Sequence, residues 1–499
     1  MAVESTMMPM TLSEIAETVG GGLVIPEGVA ATPQTVATSA VTDSREVGEA
    51  GVFVAIAGER VDGHDFVGRA AQSGAAVALV AHQVDAPMAQ IVVPDTVAAL
   101  GTLAQHNIER RRALDTPFTI VGITGSVGKT TTKDMLAALL GSMGETVAPV
   151  GSFNNEIGLP LTALKVGPDT RYLVAEMGAN HVGEIARLTT IAPPDIAVVL
   201  KVGVAHLGEF GSVERIVEAK SEIVRGLADG GVAILNADDE RVASMSAQAP
   251  GEVLWFGVQD EQALASGCSA RDIGTDALDR PRFTLSTPDG AATAVRLGIC
   301  GRHNVMNALA AASVAFRLGM PSARIGEVLD GLTRISPHRM AVSTVERSGA
   351  SFTLIDDSFN ANPDSMRAGL DGLMAWGAGE QTAPYRVAVL GAMLELGAND
   401  LELHRGVGEY AARCGVDAVV AVGGTADAHL DALAEAVAQG AKRAQTGTTP
   451  AHPSIDWVHD ADQADAAVVR LAREHGNAVV LLKGSHVSGL SALAERWAA

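Results

Sequence analysis

The stretch "TGSVGKTTTK" (124–133) carries the parts of a phosphate-binding turn in an unusual spacing. The common phosphate loop has a glycine five residues ahead of its Gly-Lys pair. Here that position is Ile123, with Gly122 and Gly125 on either side. The context is still the one such a loop requires. An apolar strand, "FTIVGIT" (118–124), runs into the turn, and a helix reading "TTTKDMLAALLG" leaves it and closes at Gly141. Backbone N–H groups of the turn and the helix N-terminus then face one point, a natural seat for anionic oxygen. Lys129 would bridge the outer phosphates of a bound nucleotide, and the Thr130 hydroxyl would ligate Mg²⁺.

A second signal sits on an amphipathic helix, "VERIVEAKSEIVRGLA" (213–228), whose apolar stripe is Val213, Ile216, Val217, Ile223, Val224 and Leu227. At about 100° per residue, Lys220 falls in the middle of that stripe. Lysine is seldom fully buried without a partner, so snorkelling to solvent or pairing with an acid such as Glu176 is the plainer reading. Burial would lower the pKa of the amine. From a free value of about 10.4, only roughly one molecule in 2,500 is neutral at pH 7. A neutral amine can capture carbon dioxide and become a carbamate, an anionic oxygen ligand suited to Mg²⁺. Glu176 and His206 lie at the ends of apolar strands, where open α/β sheets gather their ligands. Taken singly, a surface glutamate and a turn histidine fit those positions as well.

The elements that must position these residues alternate along the chain. Short Val/Ile/Leu-rich runs and Ala-rich helical segments point to α/β layers with mainly parallel sheets. The first block, 1–112, contains the strand "GVFVAIAG" (51–58), a helix closing on Gly74 and the strand "AAVALVA" (75–81). The second, 113–341, contains the phosphate-type turn and the strands "YLVAEMGAN" (172–180), "DIAVVLKVGVAH" (195–206) and "GVAILNADD" (231–239). Within it the polar stretch 259–280 reads as an insertion or loop-rich edge. The third, 342–499, has strands at 352–358, 386–393, 418–424 and 478–485 in a Rossmann-like pattern, with 446–454 a loop by composition.

Composition narrows the class. A chain of 499 residues with 47% apolar content can bury several cores and is not disordered. A net charge of −22 argues against nucleic acid as a partner. Cys268, Cys300 and Cys414 are far apart and form neither a pair motif nor a metal motif, which suits a reducing compartment. The opening "MAVESTMMPM" lacks the features of a secretory signal, and no apolar run approaches about 18 residues. A cytoplasmic protein with no membrane span, acting as a monomer, is expected.

The motifs taken together resemble the Mur ligases, ATP-dependent enzymes that extend the peptide of the bacterial cell-wall precursor, and most closely those that add D-alanyl-D-alanine. The family's loop is TG-x-x-GKT, here Thr124, Gly125, Gly128, Lys129 and Thr130, so the odd spacing is the family's own variant. "TDSREVGEAGVFVAIAGERVDGHDF" (42–66) is similar to the uridine-nucleotide-binding start of this subgroup. "NNEIGLP" (154–160), "EMGANHVGEI" (176–185), "AHLGEFGS" (205–212), "EAKSEI" (218–223), "GRHNVMNALAA" (301–311), "DDSFNANPDSM" (356–366) and "GAMLELG" (391–397) match in order. Two departures lie in the third block: Ala392 stands where relatives usually carry an acid, and His486 where many carry arginine.

The resemblance implies an α/β protein of three domains. These are a small α/β N-terminal domain for the uridine nucleotide, a central P-loop-type ATPase domain with a mainly parallel sheet, and a C-terminal Rossmann-like domain. It implies formation of an amide through an acyl phosphate, with UDP-N-acetylmuramoyl-tripeptide and D-alanyl-D-alanine as substrates. Thr124, Gly125, Ser126, Val127, Gly128, Lys129, Thr130 and Thr131 would hold ATP, with Asn304, Arg339 and Asp357. Thr130, Glu176, His206 and a carbamylated Lys220 would hold two Mg²⁺ ions. Lys129, Lys220 and His206 would be catalytic. Ser44 and Arg45 would meet the uridine nucleotide. Asn154 would line the substrate path, along with Asn360 and Asn362, although Asn-Ala-Asn-Pro is also good turn chemistry. Another amino-acid-adding Mur ligase, a folate polyglutamate synthetase, or a nucleotide-dependent switch without ligase activity are the rival readings.

Overall fold

The computed structural model describes residues 6–58, 61–203, 207–259, 267–333, 335–377, 382–444 and 453–498. His206 and most of the 446–454 stretch lie outside them. The described residues form three main sheets in chain order. The first has five strands, in spatial order Gly22–Val24, Ala89–Val92, Val77–Val80, Gly51–Val54 and Ser39–Val41. A short antiparallel pair, Met10–Thr11 with Val36–Ala37, stands beside it.

The central sheet has nine strands, ordered Ala292–Arg296, Pro281–Ser286, Cys268–Thr275, Val253–Gly257, Val232–Asn236, Ile196–Val199, Thr119–Thr124, Tyr172–Glu176 and Thr146–Val147. Seven pair in parallel, and the hairpin strands at one end are antiparallel. Helices cover both faces, so Thr119–Thr124 is apolar on both sides. Ile120 packs into one core, while Val121 and Ile123 pack into the other. That is why the strand reads as a continuous apolar run rather than an alternating one. The chain crosses to one side of this strand for Tyr172–Glu176 and to the other for Ile196–Val199. The reversal of strand order opens a crevice at the strands' C-terminal ends.

The third sheet has six strands, ordered Ala341–Arg347, Ala350–Asp357, Ala478–Lys483, Tyr385–Leu390, Ala418–Val422 and Ser454–Val458. All but the first run parallel, with a core on each face.

Two expectations need correction. The stretch 259–280 is not simply a loop-rich edge, because Cys268–Thr275 is a strand paired on both sides within the central sheet. Cys268 and Ala270 alternate inward, while a register shift between Arg271 and Gly274 carries the polar residues that disguise the pattern. Ser454 opens a strand, where composition placed the end of a loop. The helix expected over 213–228 spans Val213–Arg225, with Ser212 capping its start and Gly226 its end.

Candidate active site

The phosphate-type turn leaves Thr119–Thr124 and enters the helix Lys129–Gly141 through Gly128, whose φ is +85°. A side chain there would be strained, and its Cβ would stand 2.4 Å from Asn307 Oδ1. Glycine therefore satisfies both the turn and the close approach of the neighbouring helix Asn304–Arg317. Met135, Leu136, Leu139 and Leu140 bury one face of the phosphate-loop helix and fix its N-terminus against the crevice.

Tyr172–Glu176 pairs directly with the strand ahead of the turn, Glu176 opposite Ile123. This register places a fully buried carboxylate beside the start of the helix. Glu176 Oε2 accepts from the Thr130 hydroxyl at 3.0 Å. Its Oε1 accepts from Ser152 Oγ at 2.8 Å and Asn154 Nδ2 at 2.8 Å. Gly178 lets Asn154 approach, since a Cβ there would come within 2.9 Å of the Asn154 amide. Each donor is a neutral group, so the negative charge has no cation bonded to it.

Lys220 comes in from the helix Val213–Arg225 and is 2% exposed. Its Nζ has no hydrogen bond or ion pair to any described residue, and the Phe210 ring centroid lies 5.9 Å away. The pairing with Glu176 allowed by the sequence is therefore absent. Burial, reinforced by the nearby Lys129 cation and opposed by Glu222, lowers the Lys220 pKa to about 7. Lys129 bends back so that Nζ donates to Gly125 O at 2.9 Å. Burial lowers its pKa too, Glu176 opposing and Arg339 adding to the shift.

Arg339 approaches from the linker to the third sheet. Its Nη2 donates to Thr130 Oγ1 at 3.2 Å, its guanidinium lies 4.4 Å from the Phe359 ring centroid, and its buried Nε has no partner. From the third sheet come Asp357 and Lys483, joined at 2.5 Å. These groups share a cavity of about 390 Å³, within the size range of small-molecule sites. Four basic side chains besides Lys220 line it, Lys129, Lys201, Arg339 and Lys483, against three carboxylates, Glu176, Asp357 and Asp364. An excess of mutually repelling cations around a helix N-terminus and an orphaned guanidinium N–H fits a polyanion. A buried carboxylate beside a threonine hydroxyl fits Mg²⁺. Among the described residues no cluster of three or more His, Cys, Asp or Glu side chains forms a metal site by itself.

Of the residues singled out from the sequence, Ser126, Val127, Gly128, Lys129, Thr130, Thr131, Asn154, Glu176, Lys220, Asn304, Arg339, Asp357, Asn360 and Asn362 line this cavity. Thr124 and Gly125 do not. The Thr124 hydroxyl donates to Met177 O, and Gly125 holds Lys129 through its carbonyl. Asn362 caps the helix Pro363–Ala375 in a reciprocal pair with Ser365, so its turn chemistry is real even where it faces the cavity. Ser44 and Arg45 lie outside the cavity in the first sheet's domain. Ser44 is buried, and Arg45 is exposed and paired with Asp43. Ser152, Asn307 and Phe359 were missed. Nothing in their spacing marks them, because they act on Glu176, Asn304 and Arg339 only after folding.

Comparison with known proteins identifies this architecture. The family description "Mur ligase middle domain" matches residues 123–315, "Mur ligase, glutamate ligase domain" matches 338–486, and "Mur ligase family, catalytic domain" matches 38–108. The chain is 41% identical to the UDP-N-acetylmuramoyl-tripeptide–D-alanyl-D-alanine ligase of Mycobacterium tuberculosis, over 98% of each chain. Among solved structures, MurF from Acinetobacter baumannii is 32% identical with a TM-score of 0.80, covering 98% of this chain and 99% of its own. MurF ligase from Thermotoga maritima, solved in complex with ADP, is 28% identical with a TM-score of 0.72, covering 92% of this chain and 96% of its own.

Proposed function

The chain belongs to the Mur ligase family, and from that premise we propose that it joins D-alanyl-D-alanine to UDP-N-acetylmuramoyl-tripeptide at the expense of ATP. The product is a precursor of peptidoglycan, and ADP and phosphate are released. The observation that carries this reading is the convergence of Lys129, Thr130, Glu176, Lys220 and Arg339 on one cation-rich cavity at the N-terminus of the phosphate-loop helix.

A carboxylate resists amide formation because oxide is a poor leaving group. Its oxygen attacks the γ-phosphorus of ATP, the bond to the β-phosphate oxygen breaks, and an acyl phosphate and ADP result. The dipeptide amine then attacks the carbonyl, and the tetrahedral adduct expels phosphate as the amine loses its proton. The first step brings two anions together. At 4 Å and an effective dielectric of 20, two unit like charges repel by about 4 kcal/mol. Lys129, the turn N–H groups and Arg339 would offset that repulsion once ATP is bound. The acceptor atoms of Thr130, Glu176, His206 and carbamylated Lys220 would hold two Mg²⁺ ions, which supply further neutralisation of the phosphates. Buried Lys220, with its pKa lowered to about 7, carries the neutral amine in about half of the molecules at pH 7, and that amine attacks carbon dioxide, the adduct losing a proton to give the carbamate.

The three sheets divide the ligands. Residues 1–112, with Ser44 and Arg45, take the uridine nucleotide. Residues 113–341 take ATP, with Asn304 toward the adenine. Residues 342–499 bring Asp357 toward the ribose and help receive the dipeptide, with Asn154, Asn360 and Asn362 along the tripeptide path. Among the described residues no helix is long and apolar enough to cross a membrane. The enzyme works in the cytoplasm as a monomer, where its nucleotide substrates are made.

The test is phosphate release from ATP with UDP-N-acetylmuramoyl-tripeptide, scanned over D-alanyl-D-alanine, single amino acids and folate substrates. Release that requires both the tripeptide nucleotide and D-alanyl-D-alanine is expected. Release driven equally by a single amino acid, or by a folate with glutamate, would refute the assignment.

A further inference from the structure

One turn beyond the catalytic end of the phosphate-loop helix lies a buried polar cluster that the reaction itself does not use. Lys133 and Asp134 follow Lys129 and Thr130 by four residues, so they stand on the same side of the helix about 6 Å further along. Lys133 is 2% exposed. Its ammonium donates to Asp134 Oδ1 at 2.5 Å, Pro149 O at 3.0 Å and Ser336 Oγ at 3.1 Å. Asp134 in turn accepts from the Ser336 backbone N–H at 2.7 Å and from the Ser336 hydroxyl at 3.1 Å.

These contacts reach two of the segments that furnish the cavity from outside the helix. Pro149 leads into the loop that carries Ser152 and Asn154 to Glu176. Ser336 precedes Arg339 by three residues in the linker to the third sheet. That linker is strained. His338 and Met340, on either side of Arg339, have φ of +58° and +52°. Left-handed backbone disfavours a residue with a side chain, and persists only where surrounding structure enforces it. Downstream the strain is held by His338 Nδ1, 2.7 Å from Asp356 Oδ2. Upstream the only side-chain hydrogen bonds among the described residues 335–337 are those of Ser336 to Lys133 and Asp134.

We propose that Asp134, with Lys133, is a positioning residue for the ligation reaction: it anchors Ser336 to the phosphate-loop helix and so holds the strained linker with Arg339 over Thr130. The inference rests on the reading of Arg339 as an ATP-site residue. Loosening the anchor lets the linker relax and withdraws Arg339, while the helix and Lys129 stay in place.

A double-mutant cycle in the full-length enzyme tests it, with ATP, UDP-N-acetylmuramoyl-tripeptide and D-alanyl-D-alanine. Arg339→Ala and Asp134→Ala should each lower kcat/KM for ATP about 10- to 100-fold, the range that a misplaced group produces. The double variant should be no worse than Arg339→Ala by more than about twofold, because both remove the same contribution. Asp134→Asn, which keeps an acceptor for the Ser336 N–H, should recover part of the loss. Losses that multiply in the double variant would overturn the positioning role and leave Arg339's assignment intact. Wild-type kinetics from Arg339→Ala would overturn both. Should Asp134→Ala fail to fold, Ser336→Ala removes the shared hydroxyl alone, and its smaller loss must likewise vanish in the Arg339→Ala background.

Discussion

Replacing Gly128 by alanine offers a direct measure of how far the turn's geometry governs nucleotide binding. Two effects add. At φ +85° an alanine in left-handed backbone is disfavoured by about 1–2 kcal/mol relative to glycine. The new methyl would also lie 2.4 Å from Asn307 Oδ1, at the end of a side chain that can move. Moving it breaks the hydrogen bond from Asn307 Nδ2 to Asn304 Oδ1, now 2.8 Å, at about 1 kcal/mol. The free enzyme can relax the loop, so both contributions reappear when ATP demands the native turn. Together, about 2–3 kcal/mol at 1.4 kcal/mol per tenfold weakens ATP binding roughly 30- to 140-fold. The assay is ATP binding by calorimetry on folded protein, checked by circular dichroism. The companion variant Asn307→Ala separates the two parts. In its background Gly128→Ala should weaken binding less, because only the backbone contribution remains. Unchanged ATP affinity in Gly128→Ala, or an equal loss with and without Asn307, would refute this account of the turn.

Further outcomes follow from the same site. Lys220→Ala should lose nearly all turnover and regain part of it with acetate or formate. Wild-type enzyme stripped of carbon dioxide should recover faster, at a fixed concentration of dissolved carbon dioxide, as pH rises through about 7, where the buried amine gives up its proton. Full turnover from the alanine variant without rescue would remove Lys220 from the reaction. Glu176→Gln keeps an acceptor in place, so it should stay within about 1 kcal/mol of wild type in urea unfolding yet lose activity. Glu176→Ala leaves the Thr130, Ser152 and Asn154 donors without their acceptor and should be less stable by about 1–3 kcal/mol for each donor that water cannot reach. Equal stability of the two variants would refute this accounting. Burial raises the Asp279 pKa from 3.8 to about 6. Its contribution to stability is therefore full below about pH 4 and is lost as pH rises through 6. Asp279→Asn should flatten that part of the urea-midpoint profile, and an unchanged slope between pH 4 and 7 would show that this carboxyl does not titrate there.

Local chemistry was legible without coordinates wherever one short segment contains the whole device. The strand, glycine turn and helix from Phe118 to Gly141 are contiguous, so their type and spacing declare the phosphate seat. Lys220 stands out because a cation in an apolar stripe violates helical periodicity, and periodicity is a property of sequence. The alternation of strands and helices likewise fixes the layered class. What folding alone decided are relations between distant segments. Whether Lys220 pairs with Glu176 depends on the angle at which a helix crosses a sheet, and the answer is that the two stay apart. The strand Cys268–Thr275 exists because the central sheet has an edge to extend, a partner that its polar composition does not announce. Lys133 reads as one more polar residue on a helix. It becomes a tie between phosphate loop, linker and Asn154 loop only when residues 149 and 336 arrive from far along the chain. Periodicity and turn chemistry are set by neighbours within about four residues, whereas burial, pairing and shared cavities are set by whatever the folded chain brings alongside.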